Sequence, residues 1–200
     1  MNTQDAIISR RSIKHYDTSF VIPASDEAKL WHLIRQTPTS FNMQNWRLVV
    51  VRDKDLRAKI QAAAWNQAQV TEASLLTILC ADLNAWAKSP ERYWENAHEA
   101  VQKAIVPYIQ PFYKDKPQLQ RDEAMRSIGL MAQTLMLAAK SMGYDSCPMV
   151  GFDPQKVGEL IQLPSDHVIG MMVVIGKAAE PAHPKPGYLP EEELIRTDHF

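Results

Sequence analysis

The chain is poor in cysteine and glycine and carries no surplus of either charge. It has 2 Cys, 7 Gly and 22 Lys+Arg against 23 Asp+Glu in 200 residues, a formal net charge of −1. Cys80 and Cys147 stand far apart, and neither has a neighbour at CxxC spacing. That excludes a disulfide scaffold and a zinc ribbon, and leaves both thiols as small buried hydrophobes. With so few glycines there is no GxGxxG, no GxxxxGK[ST] and no GxSxG, so Rossmann, P-loop and serine-hydrolase chemistry have no anchor. Six histidines never recur at i+3 or i+4, and no metal site is expected. Charge balance and a pI near 6.6 argue against nucleic acid and against anionic membranes, so any anion bound must be held by a local cluster. Ile128–Ala139 is the most apolar stretch, but Gln133 and Thr134 interrupt it and it falls far short of the roughly 20 residues that span a bilayer. With no basic-then-apolar leader in Met1-Asn2-Thr3-Gln4-Asp5, a cytoplasmic location is expected.

What is present is a single domain over 1–200 that alternates helical and strand patterns. Helices are expected over Thr3–Ser9, and over Ser25–Gln36 with Ser25 as cap and Asp26 and Glu27 in its first turn. A polar loop, Thr37 to Asn45, leads to a valine-rich strand, Trp46–Arg52. A helix from Asp53 to Trp65 and a buried strand over Ser74–Ala81 follow. Prolines 90, 107, 111 and 117 predict short helices between Trp86 and Lys116, with Tyr108, Phe112 and Tyr113 as pocket or interface aromatics. Gln120–Met142 is the longest helical pattern, apolar on nearly every side between Ile128 and Ala139, with Gly143 as its stop. A short helix over Asp153–Ile161 and a strand over Val168–Gly176 precede a proline-rich tail, Lys177–Phe200, expected to wrap over a surface.

Two groups carry the candidate chemistry. Arg10-Arg11-Ser12-Ile13-Lys14 packs three cations and a hydroxyl behind a helix, enough to hold a phosphate monoester; the same residues also suit a solvated helix C-terminus. Ser40, Asn42 and Gln44 in the loop after Pro38 offer donors and acceptors suited to an amide-like ring edge, and equally to ordinary turns.

In order and spacing, RRSIKHYD at 10–17, TPTSFNMQNW at 37–46, CPMVGFDPQKVGELIQLP at 147–164, the strand ending in Gly176-Lys177 and the late Pro184-Lys185-Pro186 resemble the nitroreductase family of FMN-dependent NAD(P)H oxidoreductases. Its quinone and hydroquinone-linked members are the nearest in pattern. The resemblance implies an α+β fold, with a central, mainly antiparallel sheet flanked by helices, in an intertwined homodimer with a swapped C-terminal tail. It implies two FMN sites in the subunit interface, Arg10, Ser12 and Lys185 on the phosphate, Arg11 near the ribityl chain, and Lys14 at the pyrimidine end, where its charge raises the flavin potential. It implies Pro38, Thr39, Ser40 and Asn42 from the other subunit, Asn66 and Gln69 at the ring edge, and backbone of Met149, Val150 and Gly151 near flavin N5. NAD(P)H is then the expected electron donor, with ping-pong transfer to a quinone or nitroaromatic and no side chain as acid or base.

Three positions depart from the family pattern: Gln69 where relatives place lysine, Val150 where many have glutamate, and KPGYLP where another arginine is common. They are the features that would favour a non-catalytic dimeric binding protein. A flavin-dependent dehalogenase or dehydrogenase is the alternative within enzymes.

Overall fold

The computed structural model describes residues 1–200. Four strands, β1 (Trp46–Val51), β2 (Leu75–Asp82), β3 (Asp145–Met149) and β4 (His167–Gly176), form one sheet in the order β1-β2-β4-β3, every pair antiparallel. Strand β2 is buried along its whole length, and its residues divide between two cores. Leu76, Ile78 and Cys80 face one, with Met172 and Val174 of β4; Leu75, Leu79 and Ala81 face the other, with Val173 and Ile175. Burial on both faces explains an uninterrupted apolar sequence.

Helices α1 (Thr3–Ser9) and α2 (Ala24–Ile34) precede β1; α3 (Lys54–Ala63) and α4 (Gln69–Glu72) lie between β1 and β2. After β2, two 3₁₀ turns lead to α5 (Glu99–Tyr113) and α6 (Pro117–Ser141); α7 (Pro154–Leu160) joins β3 to β4, and α8 (Glu191–Leu194) sits in the tail. Ile60 and Ala63 of α3 and Val157 of α7 fill the first core, while Leu30 and Ile34 of α2 and Ile128, Met131 and Leu135 of α6 fill the second. No helix is long and apolar enough to cross a membrane.

Several local expectations change. Pro23, not Ser25, precedes the first turn of α2, and no side chain caps it. The stretch expected to break into short helices contains one 15-residue helix, α5, with Pro107 and Pro111 inside it. Both prolines face solvent, where freed carbonyls are hydrated, and the helix is held by fully buried Ile109 and by Tyr113 packed with Met43. Helix α6 begins at Pro117, a residue suited to a first turn, and ends before Gly143, whose φ of 81° makes it the stop. It is not covered all round: Leu130 is 48% exposed, as are Ile7 (51%) and Ile8 (72%) on the neighbouring α1. Strand β3 has no counterpart in the sequence reading. Pro148 within it is tolerated because β3 lies at the sheet edge.

Candidate functional site

The segment after α1 is laid along the free edge of β3. Ser12 bridges Ser146 in parallel fashion, and the Ile13 amide donates to the Ser146 carbonyl at 3.2 Å. Ile13 and Tyr16 are buried while Ser12 and Lys14 face out, so a short strand-like alternation turns the hydroxyl and the ammonium group to the same side. Arg10 is the C-cap of α1. None of Arg10, Arg11 and Lys14 has an acidic partner. Arg10 Nη1 is buried without any hydrogen bond, Arg11 donates to the His183 carbonyl, and Lys14 Nζ lies 3.7 Å from Cys147 Sγ. Burial pushes the Cys147 thiol up, opposed by the charge and hydrogen bond of Lys14 and by Ser12 and Arg10.

A second limb comes from the turn after α3. Trp65 and Asn66 both adopt left-handed backbone, with φ of 53° and 57°. Gln67 Nε2 donates to the Gly151 carbonyl at 2.7 Å, and Gln69 Nε2 donates to Gln67 Oε1 at 3.0 Å. A Cβ on Gly151 would stand 2.7 Å from the exposed Trp65 ring, so glycine here lets that ring pack against the main chain. Met149 is buried at the end of β3, and Val150 is 74% exposed beside Gly151. The chain thus brings the 10–14, 66–69 and 149–151 segments to one edge. Gln69 is itself buried and spends its amide on Gln67. Sequence reasoning missed Gln67, and nothing in Asn66-Gln67-Ala68-Gln69 distinguishes it.

Pro38–Asn42 lies elsewhere. It leads into β1, the opposite edge of the sheet, about 14 Å away across three strand spacings. Ser40 Oγ accepts from Tyr113 OH at 2.8 Å, Asn42 Nδ2 donates to the Tyr93 carbonyl at 2.8 Å, and Thr39 Oγ1 accepts from the Gln44 amide at 2.9 Å. Phe41 packs edge-on against Phe112 and Tyr113. Lys185, in the exposed tail, stacks over Tyr188 at 4.9 Å and makes no hydrogen bond to Arg10 or Ser12. Clefts of about 440 Å³ between α3 and α7 and about 630 Å³ beside Arg57 include none of the candidate residues. One copy of the chain therefore holds these two sets of polar groups at opposite edges of its sheet.

The other charged cluster, where β2 ends and β4 begins, brings together Asp82, Asp166 and His167. Lys88 Nζ sits between the carboxylates, 2.8 Å from Asp82 and 2.7 Å from Asp166, and Arg47 approaches Asp82 at 3.5 Å. The Lys88 and His167 hydrogen bonds pull the Asp166 carboxyl down to about 2. An ammonium group already fills the space a cation would take.

An α+β fold with three cations that lack acidic partners along its β3 edge offers a donor set whose chemistry suits a phosphate group. The nitroreductase family model matches residues 7–177, and the chain belongs to that family. It is 54% identical over 200 residues to protein DrgA of Synechocystis, covering 98% of this chain and 95% of that protein. It is 26% identical over 183 residues to the oxygen-insensitive NADPH nitroreductase of Helicobacter pylori, covering 88% and 87%. A protein of Exiguobacterium sibiricum solved in complex with FMN superimposes with a TM-score of 0.91 at 27% identity, over 99% of this chain and 98% of that one.

Proposed function

We propose that this single-domain chain is a cytoplasmic, homodimeric FMN-dependent oxidoreductase that uses NAD(P)H to reduce a quinone or nitroaromatic acceptor. The observation that carries the reading is the buried Arg10 guanidinium nitrogen with no partner, beside Ser12 and two further cations that have no acid to balance them. A guanidinium nitrogen shut off from solvent without an acceptor is costly, and a phosphate dianion satisfies it with charge-assisted bonds. The residues fit FMN: Arg10, Ser12 and, from the tail, Lys185 hold the phosphate; Arg11 lies by the ribityl chain and Lys14 by the pyrimidine end. Asn66, held by the left-handed turn, and Gln69, through its bond to Gln67, shape the ring edge. Met149, Val150 and Gly151 bring main chain close to the flavin ring, and Gly151 itself packs against Trp65 and Gln67.

Two copies complete the site. Pro38, Thr39, Ser40 and Asn42 sit across the sheet from the cations of their own chain, and a partner copy supplies them. The exposed Leu130, Ile7 and Ile8 face is covered by that partner, and the tail, with Tyr188 78% exposed and Ile195 64% exposed, is exchanged onto it. When bound, FMN supplies a ring nitrogen that takes a hydride from NAD(P)H and passes it to the acceptor. The protein orients both substrates in turn over one ring face and supplies positive charge from Lys14; solvent delivers the protons.

The test is direct. The purified chain is expected to be yellow, dimeric, and to oxidise NADH or NADPH with a quinone or nitroaromatic, in parallel-line kinetics. A colourless, monomeric product that takes up no added FMN overturns the reading, and a yellow dimer active only with halogenated aromatics redirects it.

A further inference from the structure

We infer that Cys147 is a positioning residue whose thiol fixes the Lys14 ammonium group at the place where the cofactor ring docks. The inference rests on the FMN reading above and goes beyond it, since the sequence pattern assigns this thiol no task.

Lys14 is exposed, on a flexible four-carbon stem that loses rotamer freedom when held in one place. No carboxylate holds it; its one hydrogen-bond partner is Cys147 Sγ at 3.7 Å. Both ends of that contact are anchored. Ser12 bridges Ser146, buried Ile13 donates to the Ser146 carbonyl, and fully buried Cys147 pairs with Val174 in the sheet. The thiol is used at both ends as well, because its S–H lies 3.5 Å from the Pro148 carbonyl and can donate there, leaving a sulfur lone pair toward the ammonium group.

The choice of a thiol has a consequence for charge. A carboxylate at this position would hold Lys14 more tightly but cancel it. Burial keeps Cys147 protonated at neutral pH, so it orients the cation and leaves its full charge for the ligand. Cys80 provides the internal contrast: equally buried, its sulfur has the Ile78 carbonyl at 3.9 Å as its one hydrogen-bond contact, and it faces no cation.

The experiment compares Cys147→Ala, which removes the contact, with Cys147→Ser, which keeps a donor and an acceptor, in wild-type and Lys14→Met backgrounds. The readouts are the FMN dissociation constant by flavin fluorescence and the midpoint potential of bound FMN. Cys147→Ala is expected to weaken FMN a few-fold, on the scale of one hydrogen bond to a charged group, and to make the potential more negative. Cys147→Ser restores both, and in the Lys14→Met background Cys147→Ala changes neither. Equal effects in the two backgrounds assign the thiol to packing alone and overturn the inference. If Cys147→Ala does not fold, Cys147→Val keeps the bulk without the hydrogen bond and replaces it in the same cycle. A further arm uses no cofactor: in the FMN-free protein the Lys14 side-chain NMR signal is expected to shift and broaden in Cys147→Val, and an unmoved signal overturns the contact. If the wild type binds no FMN, the flavin reading fails, and this arm still decides the thiol–ammonium contact.

Discussion

Two charged clusters lie at different parts of one sheet and have opposite bookkeeping. At the junction of β2 and β4, Asp82 and Asp166 are matched by Lys88, Arg47 and His167, all from this chain. Along the β3 edge, Arg10, Arg11 and Lys14 have no acidic partner, and one Arg10 nitrogen is buried with nothing to donate to. A matched network is finished when the chain folds, so its free energy goes into tying β1, β2 and the turn before α5 together. On the FMN reading proposed above, the unmatched one is finished by a ligand that arrives later. The distinction separates structural charge from ligand-binding charge without any sequence pattern, and it turns the Asp82, Asp166 and His167 trio from a nominal metal site into a clasp.

The comparison breaks most visibly at Arg10. Arg10→Ala is expected to cost about 2–3 kcal/mol of FMN binding, a loss of roughly 30- to 150-fold, while the melting temperature of the FMN-free protein holds or rises slightly as a half-buried guanidinium with one unsatisfied nitrogen is removed. Fluorescence titration and a melt of the stripped protein measure the two halves; equal FMN occupancy after dialysis sinks the assignment. The mirror image is Asp82→Ala. It leaves Arg47 without an acid and Lys88 with Asp166 alone, and because both are about 40% exposed (39% and 42%) the cost is below that of a fully buried pair. A loss of about 1–2 kcal/mol, or about 4 °C in Tm, is expected with FMN affinity unchanged. A variant that melts normally but drops its FMN would erase the distinction. Smaller again is Lys14→Ala, which should lower the potential of bound FMN and slow acceptor reduction by about fivefold, equivalent to about 1 kcal/mol. Unchanged potential and turnover would remove Lys14 from the site.

How much of this was legible beforehand follows from where the information sits. β2 and β4 read plainly because burial on both faces leaves continuous runs such as Leu75–Ala81 and Val168–Gly176. β3 did not, since Asp145-Ser146-Cys147-Pro148-Met149 is short and contains a proline that only an edge strand accepts. α5 misled because local proline rules were outweighed by Ile109 and Tyr113, whose burial depends on Met43 far upstream. In the site, the cations at 10–14 are contiguous and visible. Gln67 and Cys147 acquire meaning only through contacts 84 and 133 positions away in sequence, with Gly151 and Lys14. A residue whose role is to hold another residue leaves no local trace.

The finest division between the two clusters is in their response to acid. The Asp166 carboxyl is held down to about 2 by its hydrogen bonds to Lys88 and His167, below the ordinary 3.8 it regains on unfolding. A depressed carboxyl pKa means that the unfolded chain binds the proton first. The clasp's contribution is therefore whole above about pH 4 and is lost as pH falls from there toward about 2. Asp166 is partly exposed, so solvent screening keeps the effect modest. Urea midpoints at pH 5.5 and pH 3 should differ more in wild type than in Asp166→Asn, which has no proton to take up. Arg10→Ala should leave that difference unchanged, because guanidinium groups do not titrate in this range and Arg10 is paired with no carboxylate. If Arg10→Ala narrowed the gap as much as Asp166→Asn, the two clusters would be coupled through the sheet, and the separation of structural from ligand-binding charge would fail.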